Sequence, residues 1–385
     1  MKKCVKIAAV VLALSSALPC AAGGKEGGGA AWKTGVEISR EDNLFHLSPA
    51  QIASKALNKA GDQVNGRFTG MAEVGDTALT VSPEVTLPAG RKASFRLSAE
   101  GRRYLGNPKK SSVALKAGYE RKLSGAGAAR LGLKYIPGEF QKNYLVGGTP
   151  DPTGKVTRDQ QLWKEGHFSE WEVSAGYRHK LLGRKSGLGL EAGAAAAYCA
   201  RRYAAAELRS RDDKKLKGTL SLDAEPSKRL AFGLYGSYER SKSPVSRDVL
   251  LLDEPVFGLD FNADGDKLDN NIRTVQSVDR SLNAAAAGLK AAWQASRRLE
   301  LEAGYEREKK TYTSSQPLDP SDKDRVDRKH TLSAAVSLKL SGAAKARLGF
   351  VYEGQKTDKA GDPASAGEVT GYIDRTWSAG VTLRF

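Results

Sequence analysis

Cysteine, histidine and long apolar runs are all scarce in this chain. Two of its three cysteines, Cys4 and Cys20, lie within the first twenty residues. Only Cys199 remains downstream, so no intrachain disulfide framework can hold the fold together. The four histidines, His46, His167, His179 and His330, are scattered without metal-ligand spacing. Beyond Leu18 no stretch approaches the ~18 uncharged apolar residues that a membrane-crossing helix needs. Catalytic signatures are missing as well. There is no Gly-x-Ser-x-Gly elbow. Gly148 to Lys155 imitates a phosphate loop but has five residues between its glycines and Val156 after the lysine. No linear motif points to catalysis, and the chain is expected not to be an enzyme.

What is present begins with a leader. Met1-Lys2-Lys3 and Lys6 are basic, Ile7 to Leu18 is apolar, and Pro19-Cys20-Ala21-Ala22 supplies small residues. This reads as a secretory signal peptide over 1–22, leaving 23–385 as one mature unit. Lipid attachment at Cys20 is the alternative, although Ala17 and Pro19 make a poor recognition sequence for it.

Charged residues make up 27% of the chain, and hydrophobic ones reach 40% only with alanine counted. That composition is thin for a globule of this length. It suits a transmembrane barrel, in which every second strand residue alone must be apolar. Alternation is found in fourteen segments: 32–42, 76–87, 91–104, 111–123, 128–138, 167–181, 187–203, 214–225, 229–241, 276–293, 298–312, 328–341, 344–355 and 371–385. In the third, Ala93, Phe95, Leu97 and Ala99 oppose Ser94, Arg96, Ser98 and Glu100. The tenth changes parity near Ala287-Gly288, where a β-bulge is expected. Short connections, such as Pro88-Ala89-Gly90 and Pro226-Ser227, alternate with mostly longer polar ones: 43–75, 105–110, 139–166, 204–213, 242–275, 313–327 and 356–370. Short turns on one side and long loops on the other are a membrane-barrel pattern, with the short side periplasmic. Tyr119, Tyr177, Tyr198, Tyr238, Tyr305, Tyr352 and Trp377 fall on the apolar face and are expected to form aromatic girdles.

The final octapeptide runs Ser378-Ala379-Gly380-Val381-Thr382-Leu383-Arg384-Phe385, with Ser378, Gly380, Leu383 and Phe385 at its diagnostic places. It resembles the C-terminal assembly signal of Gram-negative outer-membrane β-barrels. The resemblance extends in architecture over the mature chain, porin-like in size, while only the octapeptide is specific. It implies an all-β, antiparallel up-and-down barrel of about fourteen strands, handed over by the barrel-assembly machinery and located in the cell outer membrane. A monomer is expected.

Function should lie on the polar face. Strand parity turns Arg96, Glu100, Lys116, Glu120, Arg130, Glu172, Arg178, Glu191, Lys217, Glu300, Glu302 and Arg347 inward as candidate pore-lining residues. Bases and acids there are nearly balanced, which argues against strong ion selectivity. Two functions stay open: a diffusion channel for small polar solutes, or a closed-lumen barrel whose long loops bind a polysaccharide, a phage or a protein. The formal charge of +17 suits outer-membrane lipids and lipopolysaccharide as partners. Nucleic acid is not expected, since an exported protein rarely meets it.

Two loops carry local content. Asp260, Asn262 and Asp264 place oxygens at positions one, three and five of a calcium-loop pattern, with Gly265 at the turn. Asp266 offers a carbonyl and Asp269 a closing carboxylate, while position twelve is Asn271 where the pattern has Glu. A solvated Asp/Asn/Gly-rich loop is the alternative. Ser48-Pro49-Ala50-Gln51 starts a short helix in the first long loop, with Ser48 as cap. That helix is expected to lid the mouth, fold into the lumen or merely pack the loop.

Overall fold

A computed structural model describes residues 29–44, 46, 75–123, 125–148, 161–183, 188–244, 246–251, 273–315, 323–359 and 371–385. Fourteen strands close into one antiparallel barrel: β1 (Ala31–Glu41), β2 (Asp76–Pro88), β3 (Ala93–Tyr104), β4 (Ser112–Lys122), β5 (Gly127–Gly148), β6 (Gln161–Leu182), β7 (Gly189–Tyr203), β8 (Asp213–Glu225), β9 (Leu230–Lys242), β12 (Leu282–Gln294), β13 (Leu299–Tyr312), β14 (Arg325–Lys339), β15 (Ala344–Lys359) and β16 (Ile373–Arg384). Between β9 and β12, β10 (Ser246–Leu251) and β11 (Arg273–Val278) form a separate two-stranded hairpin. Each barrel strand pairs with the next barrel strand along the chain, β9 with β12 across the intervening β10–β11 pair, and β1 pairs with β16 from Lys33↔Arg384 to Glu41↔Thr376. The Phe385 N–H donates to the Trp32 carbonyl at 3.0 Å, which finishes the seam. Closure leaves no unpaired strand edge around the wall, a condition for crossing lipid with strands.

The apolar side chains are on the outside. Trp171 is 51% exposed, Leu220 69% and Trp377 59%, and directly opposed residues on neighbouring strands share their face. A continuous apolar outer surface of this extent belongs in lipid. No helix among the described residues is long and apolar enough to cross a membrane; the strands do so. The tyrosines anticipated as girdles all lie on this face by register, Tyr119 and Tyr177 toward the short turns and Tyr198 and Tyr238 toward the long loops. Aromatic rings on this face pack at a tilt against outer neighbours, as in Phe95–Tyr119 with centroids 4.9 Å apart and Phe350–Trp377 at 4.4 Å.

Three expectations are corrected. First, β12 holds one register from Leu282↔Tyr312 to Gln294↔Glu300, without a bulge. Leu282, Ala284 and Ala286 face inward, and Ala285, Ala287, Leu289, Ala291 and Trp293 face lipid. Alanine fits either face, so the run 284–287 carries no parity information. Second, strand ten does not begin at 276: Arg273–Val278 pairs with β10, and Asp279 to Ser281 separate it from β12. The 242–275 connection therefore contains paired strand residues. Third, most of 139–166 is strand, because β5 and β6 continue past the wall as a long hairpin. Register shifts between Pro137/Glu139, Phe140/Asn143 and Leu145/Gly147 break its alternation, which hides a strand from a period-two reading. Gly138, at φ 95°, absorbs the first shift in a conformation that only glycine adopts freely.

Candidate functional site

Register places all twelve candidate side chains, Arg96, Glu100, Lys116, Glu120, Arg130, Glu172, Arg178, Glu191, Lys217, Glu300, Glu302 and Arg347, on the inward face. Ten of them meet as ion pairs. Lys116 Nζ is 3.0 Å from Glu100, and Arg130 Nε is 2.5 Å from Glu120. Arg178 bridges Glu120 at 3.7 Å and Glu191 at 3.2 Å. Arg347 reaches Glu302 at 2.7 Å, and Lys345 reaches Glu300 at 2.7 Å. Arg96 lies 3.8 Å from Glu84. Glu172 and Lys217 have no ion-pair partner among the described residues. Most of these pairs are well hydrated, and each contributes ~0.2–1 kcal/mol at most. They set the local field more than they hold the wall together.

Sequence parity found these residues but missed how they reach one another. Several pairs span an intervening strand, over a small residue that lies beneath. Ser337 and Ala335 on β14 lie opposite Glu300 and Glu302, and let Lys345 and Arg347 of β15 cross to β13. Gly288 on β12 does the same for the Tyr235 hydroxyl, which donates to Glu306 across the vacant side-chain position. Lys329, also missed, sits 3.2 Å from Glu353 and 3.7 Å from Glu308. Between the charges the inner wall is made of small residues, including Gly132, Ser174, Gly176, Ala195, Ala197 and Thr219. A cavity of about 1090 Å³ follows, bordered by Glu37, Arg178, Glu191, Asp223, Lys290 and Arg347.

The long-loop end carries two inward apolar clusters. Ala206–Arg211 forms a 3-10 turn that seats Leu208, 1% exposed, on Phe168 and Tyr203. Leu44, Ala78 and Tyr104 make a second inward cluster, beside which the Tyr104 hydroxyl donates to Glu41 at 3.1 Å. The ring of His46 stacks on Tyr372 with centroids 4.2 Å apart. Burial depresses the His46 pKa, outweighing the nearby carboxylates of Glu353 and Asp374, so the imidazole is neutral near pH 7.

The C-terminal residues take distinct places. Ser378 faces inward opposite Gly349, while Leu383 and Phe385 point outward. At Gly380 a Cβ would fall 2.8 Å from the Val36 carbonyl oxygen and 3.1 Å from Glu37 Cβ, so glycine lets β16 approach β1. Asp260, Asn262, Asp264, Asp266 and Asp269, the helix begun at Ser48 and the leader 1–22 all lie outside the described residues. Among the described residues no group of three or more His, Cys, Asp or Glu is arranged to hold a metal.

A closed antiparallel wall, apolar outside and charged inside, with short turns at one end and long loops at the other, defines an outer-membrane β-barrel. Solved structures of similar architecture include the deltaS2 mutant of TodX, the monoaromatic hydrocarbon channel of Pseudomonas putida (11% identity, 92% of this chain and 90% of that one, TM-score 0.46). A FadL homologue of Pseudomonas aeruginosa matches at 11% identity, 92% and 90% coverage and TM-score 0.44. The outer-membrane channel DcaP of Acinetobacter baumannii matches at 10% identity, 94% and 99% coverage and TM-score 0.42. At such identities the likeness is one of barrel architecture. No protein-family model and no curated protein matches the chain.

Proposed function

We propose that this barrel is a porin-like channel of the cell outer membrane for the diffusion of small polar solutes, reached through a cleaved signal peptide over 1–22. One observation carries the reading: the 1090 Å³ cavity is bordered by hydrated charges and small side chains. Fourteen strands enclose more than the eight whose side chains fill a barrel, and fewer than the sixteen to eighteen of open porins. Near-balanced lining charges make the passage weakly selective. The twelve inward residues named above line it, and its chemistry is passage and not catalysis. Recording in planar lipid bilayers tests this. Discrete conductance steps that shrink when Gly132 and Thr219 are replaced by Trp support it, and a silent but folded barrel refutes it.

One observation favours the closed-lumen alternative, in which the long loops bind a polysaccharide, a phage or another protein. The Phe168–Tyr203–Leu208 and Leu44–Ala78–Tyr104 clusters both pack inward at the long-loop mouth. Silence in the bilayer together with loop-dependent ligand capture would decide for it. Two further proposals rest on sequence. The octapeptide ending at Phe385 directs the chain to the barrel-assembly machinery, and the loop from Asp260 to Asn271 takes calcium at the millimolar levels usual outside cells.

A further inference from the structure

The excess positive charge of this protein is not in the lumen, where acids and bases match. Much of it lies on the outward face near the long loops. Lys309 on β13, Arg328 on β14 and Lys356 on β15 are directly opposed: Lys309↔Arg328 and Arg328↔Lys356 are register partners. Arg307, two residues below Lys309, extends the row inward toward the membrane. Like charges facing each other across strands destabilise a sheet unless counter-charge relieves them. Among the described residues, one outward carboxylate on these strands serves the four cations. Asp358 pairs with Arg328 and lies 3.8 Å from Lys356. The next along, Asp324, is in the turn above and is engaged by Lys323 at 4.0 Å. Arg307 and Lys309 are exposed and have no ion-pair partner among the described residues.

Directly below this row the same face turns apolar. Tyr305 opposes Leu332, which opposes Tyr352, and Leu289 adjoins Tyr305 from β12. Leu332 and Leu289 are half exposed. The outer surface of β13–β15 thus presents cations at the height of a lipid headgroup and a greasy wall below, at the height of its chains. Guanidinium and ammonium groups set side by side suit phosphate. We propose that this face binds a phosphate-bearing glycolipid of the outer leaflet, of the lipopolysaccharide type. Its phosphates lie among Arg307, Lys309, Arg328 and Lys356, and its acyl chains lie along Leu289, Tyr305 and Leu332. The row was invisible in the sequence, because its members are brought together by register across three strands.

The test is retention of lipid by the full-length barrel purified in detergent, read by native mass spectrometry. Bisphosphorylated lipid A, its dephosphorylated form and phosphatidylglycerol are the probes. The wild type should retain the first at least about tenfold better than either other. The triple variant Arg307→Gln/Lys309→Gln/Lys356→Gln should lose at least about tenfold of that retention, given what each surface cation contributes at an anionic interface. Neutralising three periplasmic-turn cations, Arg91, Arg297 and Arg298, should leave it unchanged. Equal retention of the dephosphorylated lipid, equal retention of phosphatidylglycerol, or an unaffected triple variant overturns the assignment. If the triple variant fails to fold, the wild-type comparison across the three lipids decides alone. The outcome is separate from conductance, which concerns the opposite face of the wall.

Discussion

Thr219 and Leu220 stand side by side in the middle of β8 but face opposite media. Leu220 is 69% exposed on the outer wall, while Thr219 faces inward between Ala195 and Ser237. Arginine placed at each should therefore have unequal consequences. At Leu220 the guanidinium must enter hydrocarbon near the mid-plane, which costs ~2–4 kcal/mol in a membrane barrel. That displaces the folding equilibrium by about 30-fold to about 1,000-fold. At Thr219 the new side chain meets water and small neighbours, and the cost should stay within ~0.5 kcal/mol. Urea titration of folding into phospholipid vesicles, followed by tryptophan fluorescence, measures both. If the two variants lose stability equally, the outward face is not in lipid and the membrane-spanning reading fails. If Thr219→Arg is the worse of the two, the interior is dry and the channel reading fails with it.

Other outcomes follow from single contacts. Gly380→Val should strain the seam, because its Cβ meets the Val36 carbonyl; a loss of ~1–3 kcal/mol would appear as less heat-modifiable barrel on cold SDS gels. Arg178→Ala leaves Glu191 without its partner and gives Glu120 only Arg130. Under a salt gradient the reversal potential should move toward cations, by up to about fivefold in permeability ratio, since a unit charge 4 Å from an ion is worth ~1 kcal/mol in water. His46 is a base with a lowered pKa in the folded state. Above its ordinary value of ~6.5 both states are neutral; below it the unfolded segment takes the proton first, so packing on Tyr372 weakens as pH falls. His46→Phe keeps the stack and should reduce the drop in Tm between about pH 8 and about pH 5. Millimolar calcium should raise Tm or protect the Asp260–Asn271 loop from protease, and Asp264→Ala should abolish the effect; indifference to calcium removes that proposal.

Much of the wall was legible in the sequence, and for a physical reason. Side-chain alternation is local, so Phe95, Leu97, Arg96 and Glu100 declare their faces without reference to any partner. The positions of long and short connections are local too, and they carried the strand order and the end on which each loop lies. Reading failed where local information vanished. The alanines 284–287 fit either face, and the bulged stretch past Pro137 broke the alternation that marks a strand.

By itself, then, the sequence determined which residues meet water, which meet lipid, and that an even number of strands alternates between turn and loop. Tertiary structure alone decided partners. Arg178 chooses Glu120 and Glu191, Arg347 crosses over Ala335 and Ser337 to Glu302, and Lys309, Arg328 and Lys356 fall into one row. The reason is that a face depends on a residue's parity within its own strand. A partner depends on how far each strand is shifted along its neighbours around the closed wall, and no single strand encodes that offset.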